Sequence, residues 1–286
     1  MMRKQKLLLD AAVYRLLKRL SHQRNRRTEG QIAAETDHKG YRPSKAERHL
    51  DFFGKYVSFV DKTVLDIGSG YGDLVIGLAK AGAKKAVGVD IDPVRVDCAK
   101  KNAKAEKVAE RVGFECLDFV KDHFPAEPFD FALSIASFEH ILDPGGCLKK
   151  IYGCLKPGGS LLTRFGPLWL SPYGGHMFDF TRVPWVHLLF PERAVLKVRQ
   201  EYFRPDQTVA RYEDIVGHLN RITVRSFKEF AREAGFEIQV FRVNPEKDWK
   251  WGGILRPLNS VLNAVPILRE LGSLTLLAIL KKPDGS

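Results

Sequence analysis

Between residues 62 and 165 the chain alternates short apolar runs with amphipathic stretches of helical period. Thr63–Ile67, Ala86–Asp90, Val112–Leu117, Phe131–Ala136 and Ser160–Phe165 have the length and β-branched content of buried strands. A helix is expected over Asp73–Ala81, stopped by Gly82, and a second opens at Asp92-Pro93, an N-cap followed by proline in the first helical position. The helix before the fifth strand should end at the Lys156-Pro157-Gly158-Gly159 turn. The alternation pauses at Gly166 and resumes with a helix over Ser226–Ala234, a strand over Phe236–Val243 and a last strand over Leu274–Leu280.

Seven strands interleaved with helices predict an α/β fold of Rossmann-like type: a mostly parallel sheet with helices on both faces. Residues 167–222, dense in aromatics and arginine, read as an insertion after the fifth strand that covers the sheet's carboxyl edge as a substrate lid. Upstream, Leu9, Val13, Leu16, Leu17 and Leu20 recur at helical spacing. Residues 1–42 are thus expected to be an amphipathic arm and polar linker, and 43–283 the main domain. Ser44 and Glu47 have the spacing of a capping box that would open the domain's first helix, with Ala46, Leu50, Phe53 and Val57 on one face.

Charge changes this picture at one end. The net charge is +12, and residues 1–30 carry nine Lys/Arg against two acids, so the arm holds most of it. Such an arm suits an anionic membrane or an acidic partner. Its single aromatic, Tyr14, and the lack of an RNA-binding module argue against nucleic acid. Four cysteines without a CxxC pair fit neither zinc nor a disulfide framework, and no apolar run reaches spanning length; the expected location is cytoplasmic, peripheral to a membrane at most.

The chemistry concentrates at strand ends. Val64-Leu65-Asp66-Ile67-Gly68-Ser69-Gly70-Tyr71-Gly72-Asp73 runs a buried strand into a glycine turn that lets backbone approach a ligand. Asp73 stands where the dinucleotide fingerprint would place its third glycine. Asp66 would repel a pyrophosphate but welcome the ammonium and sulfonium of S-adenosylmethionine. Asp90, followed by Ile91, ends the next strand eighteen residues past Gly72, placed for a ribose diol. Asp118-Phe119, after the third, offers an acceptor for an adenine amine and a ring beside it.

These segments, with Phe129–Ser134 and Leu155–Gly159, resemble the class I S-adenosylmethionine-dependent methyltransferases, especially the small-molecule group that includes quinone-biosynthesis enzymes. The resemblance spans about residues 40–166 and 223–283. It implies that Asp66, Gly68, Gly70 and Tyr71 meet the methionine end, Asp90 and Ile91 the ribose side, and Asp118 and Phe119 the adenine. Ser137-Phe138-Glu139-His140-Ile141 resembles the Glu-His segment after the fourth strand. Some relatives bind a divalent metal there through an additional glutamate; Ala136 replaces it, so no metal is expected.

Methyl transfer from a sulfonium is a displacement governed by alignment, and it needs a base only for a protonated acceptor. Glu139 and His140 are candidates. The preferred base is His176, which follows a Gly174-Gly175 turn and has Tyr173 and Asp179 near it in sequence. Trp169, Tyr173, Asp179 and Trp185 are the expected substrate contacts. The function expected is methylation of a small-molecule hydroxyl on a sugar, glycolipid intermediate or quinone-like ring. The alternatives are an RNA methyltransferase anchored by the arm and a non-catalytic cofactor-binding subunit.

Overall fold

In the computed structural model, seven strands form one sheet in the order β3-β2-β1-β4-β5-β7-β6. The residues described are 2–21, 41–124, 127–178, 180–202, 208–215, 219–244 and 264–285. β1 (Thr63–Ile67), β2 (Lys85–Asp90), β3 (Val112–Cys116), β4 (Phe129–Ile135) and β5 (Leu155–Phe165) run parallel. β7 (Leu276–Lys281) lies antiparallel between β5 and β6 (Glu237–Val243). The near-continuous apolar runs of β1 and β2 follow from this placement, because an interior parallel strand is covered on both faces. The chain builds outward from β1 to β3, then returns to β4 on the other side of β1. That reversal opens a crevice at the carboxyl ends of β1 and β4.

Helices cover the two faces separately. α1 is Met2–Leu20, α2 Pro43–Phe53, α3 Asp73–Lys80, α4 Pro93–Ala105, α5 Pro144–Cys154, α6 Val186–Leu189, α7 Glu192–Tyr202, α8 Val224–Glu233 and α9 Pro266–Gly272. Phe53 of α2 joins α3 and α4 over Val64, Leu133, Leu162 and Ile279 on one face. On the other, α5 and α8 pack Leu148, Ile151 and Phe227 against Leu65, Ile67 and Phe165. Asp92 caps α4 as expected, accepting from the amides of Val94 and Arg95.

Three expectations need correction. α2 opens at Pro43 behind Arg42, with no side-chain cap, so the Ser44–Glu47 box does not form. The helix start is instead fixed from outside, by Arg42 binding Asp73 through its amide and guanidinium. β5 starts at Leu155, because Lys156–Gly159 continue the strand through an irregularity between Phe129 and Phe131 of β4. The turn-rich composition there marks a bulge. Finally, α8 begins at Val224, where Thr223 and Ser226 exchange capping bonds.

The insertion builds a third core, and α1 is part of it. Leu17 is fully buried among Met177, Phe180, Val195, Leu196 and Tyr212. Tyr14 donates to Glu201 of α7, Lys18 pairs with the same carboxylate at 3.4 Å, and Ser21 bridges to Thr181. Of the arm's outer leucines, Leu16 and Leu20 are about half exposed.

Candidate active site

Each of the three glycines of the β1–α3 turn has positive φ: Gly68 at 78°, Gly70 at 54° and Gly72 at 81°. Two are also closed to any side chain. A Cβ on Gly68 would lie 2.2 Å from Ser137 Oγ, and one on Gly72 would lie 2.8 Å from the Phe114 ring and 2.9 Å from Ala99. Gly70 differs: nothing lies within 4 Å of where its Cβ would be, so the tip of the turn faces open space. The turn is tied to β2 by the amides of Gly68 and Ser69, which donate to the Val89 carbonyl at 2.8 and 3.0 Å.

Asp90 completes that link. One carboxylate oxygen accepts from the Gly70 amide at 2.8 Å and the other from the Asp92 amide at 3.0 Å. These use two of roughly four acceptor sites on a carboxylate, leaving lone pairs for a diol. Beside it Ile91 is 64% exposed, a free apolar side chain at the rim. Asp66 is buried at the end of β1. Tyr71 lies under the Arg42 guanidinium at 5.9 Å, and its carbonyl accepts from Asn102.

Asp118 has local partners of its own, and Phe119 packs inward. Asp118 accepts from the amides of Val120 and Lys121 and pairs with the Lys121 ammonium at 3.1 Å, so its carboxylate is engaged by its own turn. Burial pushes that carboxyl up, but these contacts outweigh it and hold it below the ordinary value. Phe119 is buried in the core, edge-on to Phe124, because the turn after β3 folds back over the sheet face. The exposed apolar group at this rim is therefore Ile91.

A cleft of about 390 Å³ opens beside the glycine turn, lined by Asp66, Gly68, Ser69, Ala136, Phe165 and Gly166. It also contains three cationic or titratable side chains that the sequence reading missed: Arg48 and His49 from α2, and Arg164 near the end of β5. Burial, and then the nearby charge of Arg48, lower the pKa of Arg164. A lone arginine within the apolar run Ser160–Phe165 was the available signal.

Behind the cleft lie the candidate bases. Phe138–His140 form a single 3-10 turn after β4. Asn220, also missed, clamps it: its side-chain amide donates to the carbonyls of Phe138 and Ile141 at 2.5 and 2.6 Å. Glu139 is buried, accepts from the Gly166 amide at 3.2 Å, and leaves its Oε2 unpartnered. Burial drives its pKa up, against the opposing effect of His140. His176 has φ 53° and sits edge-to-face with His140 at 5.3 Å. A ring N–H of His176 meets the Pro167 carbonyl, and its Nε2 has no partner. Burial first, and then His140, push its pKa down to about 4. Glu139 and His176 line one small cavity of about 10 Å³, close to the space of one water.

The structure thus gathers Glu139, His140 and His176, and Trp169 lines the small cavity with Glu139 and His176, while Tyr173 and Trp185 do not line it. Trp169 stacks edge-on with His187 and Tyr212 inside the insertion, and the Trp185 indole donates to the Leu170 carbonyl at 3.0 Å. Both hold the insertion together. Tyr173 is exposed, and Asp179 lies outside the described residues. Among the described residues no three His, Cys, Asp or Glu side chains come together as a metal site requires.

Comparison with known proteins agrees with this geometry. A methyltransferase-domain family profile matches residues 38–239. The ubiquinone biosynthesis O-methyltransferase of Coxiella burnetii is 32% identical over 112 residues, which is 39% of this chain and 47% of that protein. The chain therefore matches about half the length of such curated relatives. A putative S-adenosylmethionine-dependent methyltransferase from Listeria monocytogenes superimposes with a TM-score of 0.55 at 20% identity, covering 84% of this chain and 99% of that one. Magnesium protoporphyrin IX methyltransferase from Synechocystis, solved with bound S-adenosylhomocysteine, gives 0.51 at 13% identity over 90% and 89%. These two likenesses speak to fold alone. The profile match covers most of the chain and coincides with the strand order and glycine turn described above. The chain belongs to the methyltransferase-domain family, within the class I S-adenosylmethionine-dependent methyltransferases.

Proposed function

We propose that this protein transfers the methyl group of S-adenosylmethionine to a hydroxyl of a small-molecule acceptor. The observation carrying the proposal is the open tip of the glycine turn, bonded to Asp90 and set beside a cleft backed by Glu139, His140 and His176. The residues present fit the cofactor. Asp66, Gly68, Gly70 and Tyr71 would hold its methionine end, Asp90 the ribose hydroxyls, and Ile91 would cover the base. Asp118, satisfied by its own turn, would serve the adenine side by keeping that turn in place.

When bound, the cofactor supplies an electrophilic methyl carbon whose bond to sulfur breaks as the acceptor oxygen attacks, the electron pair remaining on sulfur. The protein's share is alignment, exclusion of water and removal of the hydroxyl proton. His176, neutral above about pH 4, is our preferred base. It has a free Nε2 and lines the small cavity with Glu139, so it would act across one water or through His140, whose ring it touches. Asn220 would hold the turn carrying His140 in place. The name of the Coxiella relative supports oxygen as the atom methylated and a quinone-like ring as one acceptor class, with sugars and glycolipid intermediates as others.

The test is transfer of label from methyl-labelled cofactor to a panel of catechols, hydroxylated quinols and sugars, alongside a panel of amines. Labelled hydroxyl products, with His176→Asn retaining S-adenosylhomocysteine affinity but losing turnover by about a hundredfold or more, would support the reading. Labelled amines with silent hydroxyls would overturn it.

A further inference from the structure

We infer that the insertion and α1 together form a docking surface for an anionic lipid bilayer. The insertion carries a set of large apolar side chains outside its own core. Leu189 is 65% exposed and Phe178 52%, and Leu188 and Tyr173 are also exposed. Chain contacts join these segments: the Trp185 amide donates to the Pro172 carbonyl at 2.6 Å, and Leu189 to the Trp185 carbonyl at 2.9 Å. The end of α1 meets the same part of the insertion. Ser21 bridges to Thr181, and the Thr181 hydroxyl reaches the Leu20 carbonyl, three residues beyond Phe178.

α1 adds two more apolar groups. Leu17 turns inward to the third core, so the neighbouring positions Leu16 and Leu20 are left outward, 52% and 47% exposed. A helix with one buried stripe normally places polar residues at such outward positions. Here leucines alternate with cations: Arg15 and Arg19 flank them on α1, and Arg182 and Lys197 are exposed on the insertion. The one acid facing Tyr14 and Lys18, Glu201, is already paired to both. Scattered exposed leucines need no explanation, but apolar groups interspersed with exposed cations match a leaflet of anionic headgroups over acyl chains. The charge argues against a second copy of this chain as occupant, since a copy would bring the same cations to the same face.

No helix among the described residues is long and apolar enough to cross a membrane, and the attachment inferred from this surface is a peripheral one. His176 lies two residues from Phe178, their rings 6.2 Å apart, which sets the candidate base directly behind the surface. An acceptor dissolved in the bilayer would meet the enzyme at that point. The inference concerns the surface, and its test needs no acceptor.

The test is flotation of the full chain with vesicles of phosphatidylcholine alone and with phosphatidylglycerol added. Three variants are compared: Leu189→Glu, Leu20→Glu, and Arg15→Glu with Arg19→Glu. Titration with S-adenosylhomocysteine checks that each is folded. The wild-type protein should float with the anionic vesicles, weakly with neutral ones, and release as salt rises. Near an anionic surface each basic residue is worth roughly fivefold in partitioning, so the double arginine variant should partition at least about tenfold less. The leucine variants should fall comparably, with S-adenosylhomocysteine affinity unchanged in all three. Equal recovery of wild type in the supernatant with both vesicles would overturn the inference, as would variants that float like wild type. So would a concentration-dependent dimer that Leu189→Glu dissolves in the absence of flotation; this would assign the face to a second copy. Loss of flotation leaves the hydroxyl-transfer reading untouched, because that is tested on soluble acceptors.

Discussion

Replacing Gly70 and Gly72 separately by alanine divides ligand binding from folding within one turn. Both residues have positive φ, where alanine costs about 1–2 kcal/mol relative to its ordinary conformations. Gly70 is at φ 54°, near the centre of the left-handed region, and its new methyl meets nothing within 4 Å. Its stability cost should therefore stay near that conformational term. Gly72 is at 81°, farther from the minimum, and its methyl would lie 2.8 Å from the Phe114 ring and 2.9 Å from Ala99 in a packed core. Overpacking adds about 1–3 kcal/mol, giving about 2–5 kcal/mol in all. Binding should rank the other way. The Gly70 methyl enters the space the cofactor's backbone contact requires, so S-adenosylhomocysteine affinity should fall at least about thirtyfold, roughly 2 kcal/mol. Urea denaturation and titration calorimetry on both variants read the two quantities independently. If folded Gly70→Ala binds S-adenosylhomocysteine within about threefold of wild type, the open tip of the turn is not where the ligand lies. If Gly72→Ala is as stable as Gly70→Ala, the steric argument fails.

Asp90→Ala should weaken S-adenosylhomocysteine binding by about 2–4 kcal/mol in calorimetry, because it removes a carboxylate that bonds the turn through Gly70 and keeps lone pairs for a diol. Leu17→Ala should cost about 2–5 kcal/mol in the unfolding of the third core, while S-adenosylhomocysteine affinity holds, since Leu17 belongs to the insertion's core and not to the glycine turn. His176 gives a pH signature: its folded pKa, about 4, lies below the 6.5 of the free side chain. The unfolded chain therefore binds the extra proton between these values, so the stability that neutral His176 confers is present above pH 6.5 and is lost as pH falls toward 4. Relative to His176→Asn, wild type should lose up to about 3 kcal/mol across that window in Tm-versus-pH measurements. If His176 is the base, the acidic limb of kcat/KM should fall near pH 4; a limb near 6.5 would exclude it.

Much of the sheet was legible because its rule is local. A strand covered on both faces must be largely apolar, and the chain says so at Val64-Leu65, Ala86–Val89 and Leu276–Leu280. Asp66 and Asp90 stood out for the same reason, as acids ending apolar strands. Asp118 follows the same pattern and also bonds its own turn, a second use of a carboxylate that spacing does not reveal. The arm's apolar face was visible, but not its division. Which leucine is buried depends on Met177, Phe180 and Val195, well over a hundred residues away. The box at Ser44 failed because Arg42 found Asp73, a tertiary contact that overrides a local cap. Arg48, His49, Arg164 and Asn220 carry no motif, and only the fold shows where they converge.

The least legible feature is also the one that links the parts. Asn220 ends the insertion and holds the Glu139–His140 turn; His176 begins it and touches His140; α1 packs on its far side through Leu17. The insertion is thus bonded to the catalytic candidates on one side and to the arm on the other. The Glu139 carboxyl and the His176 imidazole are each shifted toward neutrality by burial, each has one unpartnered buried atom, and both residues line the same one-water cavity. A carboxyl shifted toward its neutral form and an imidazole, both lining one such cavity, are placed to relay a proton. Such a pair depends on the insertion staying seated, because lifting it would admit water and restore the ordinary pKa of both groups. For the hydroxyl acceptor proposed above, proton removal would depend on the packing of the insertion, and whatever seats its outer face would bear on the chemistry behind it.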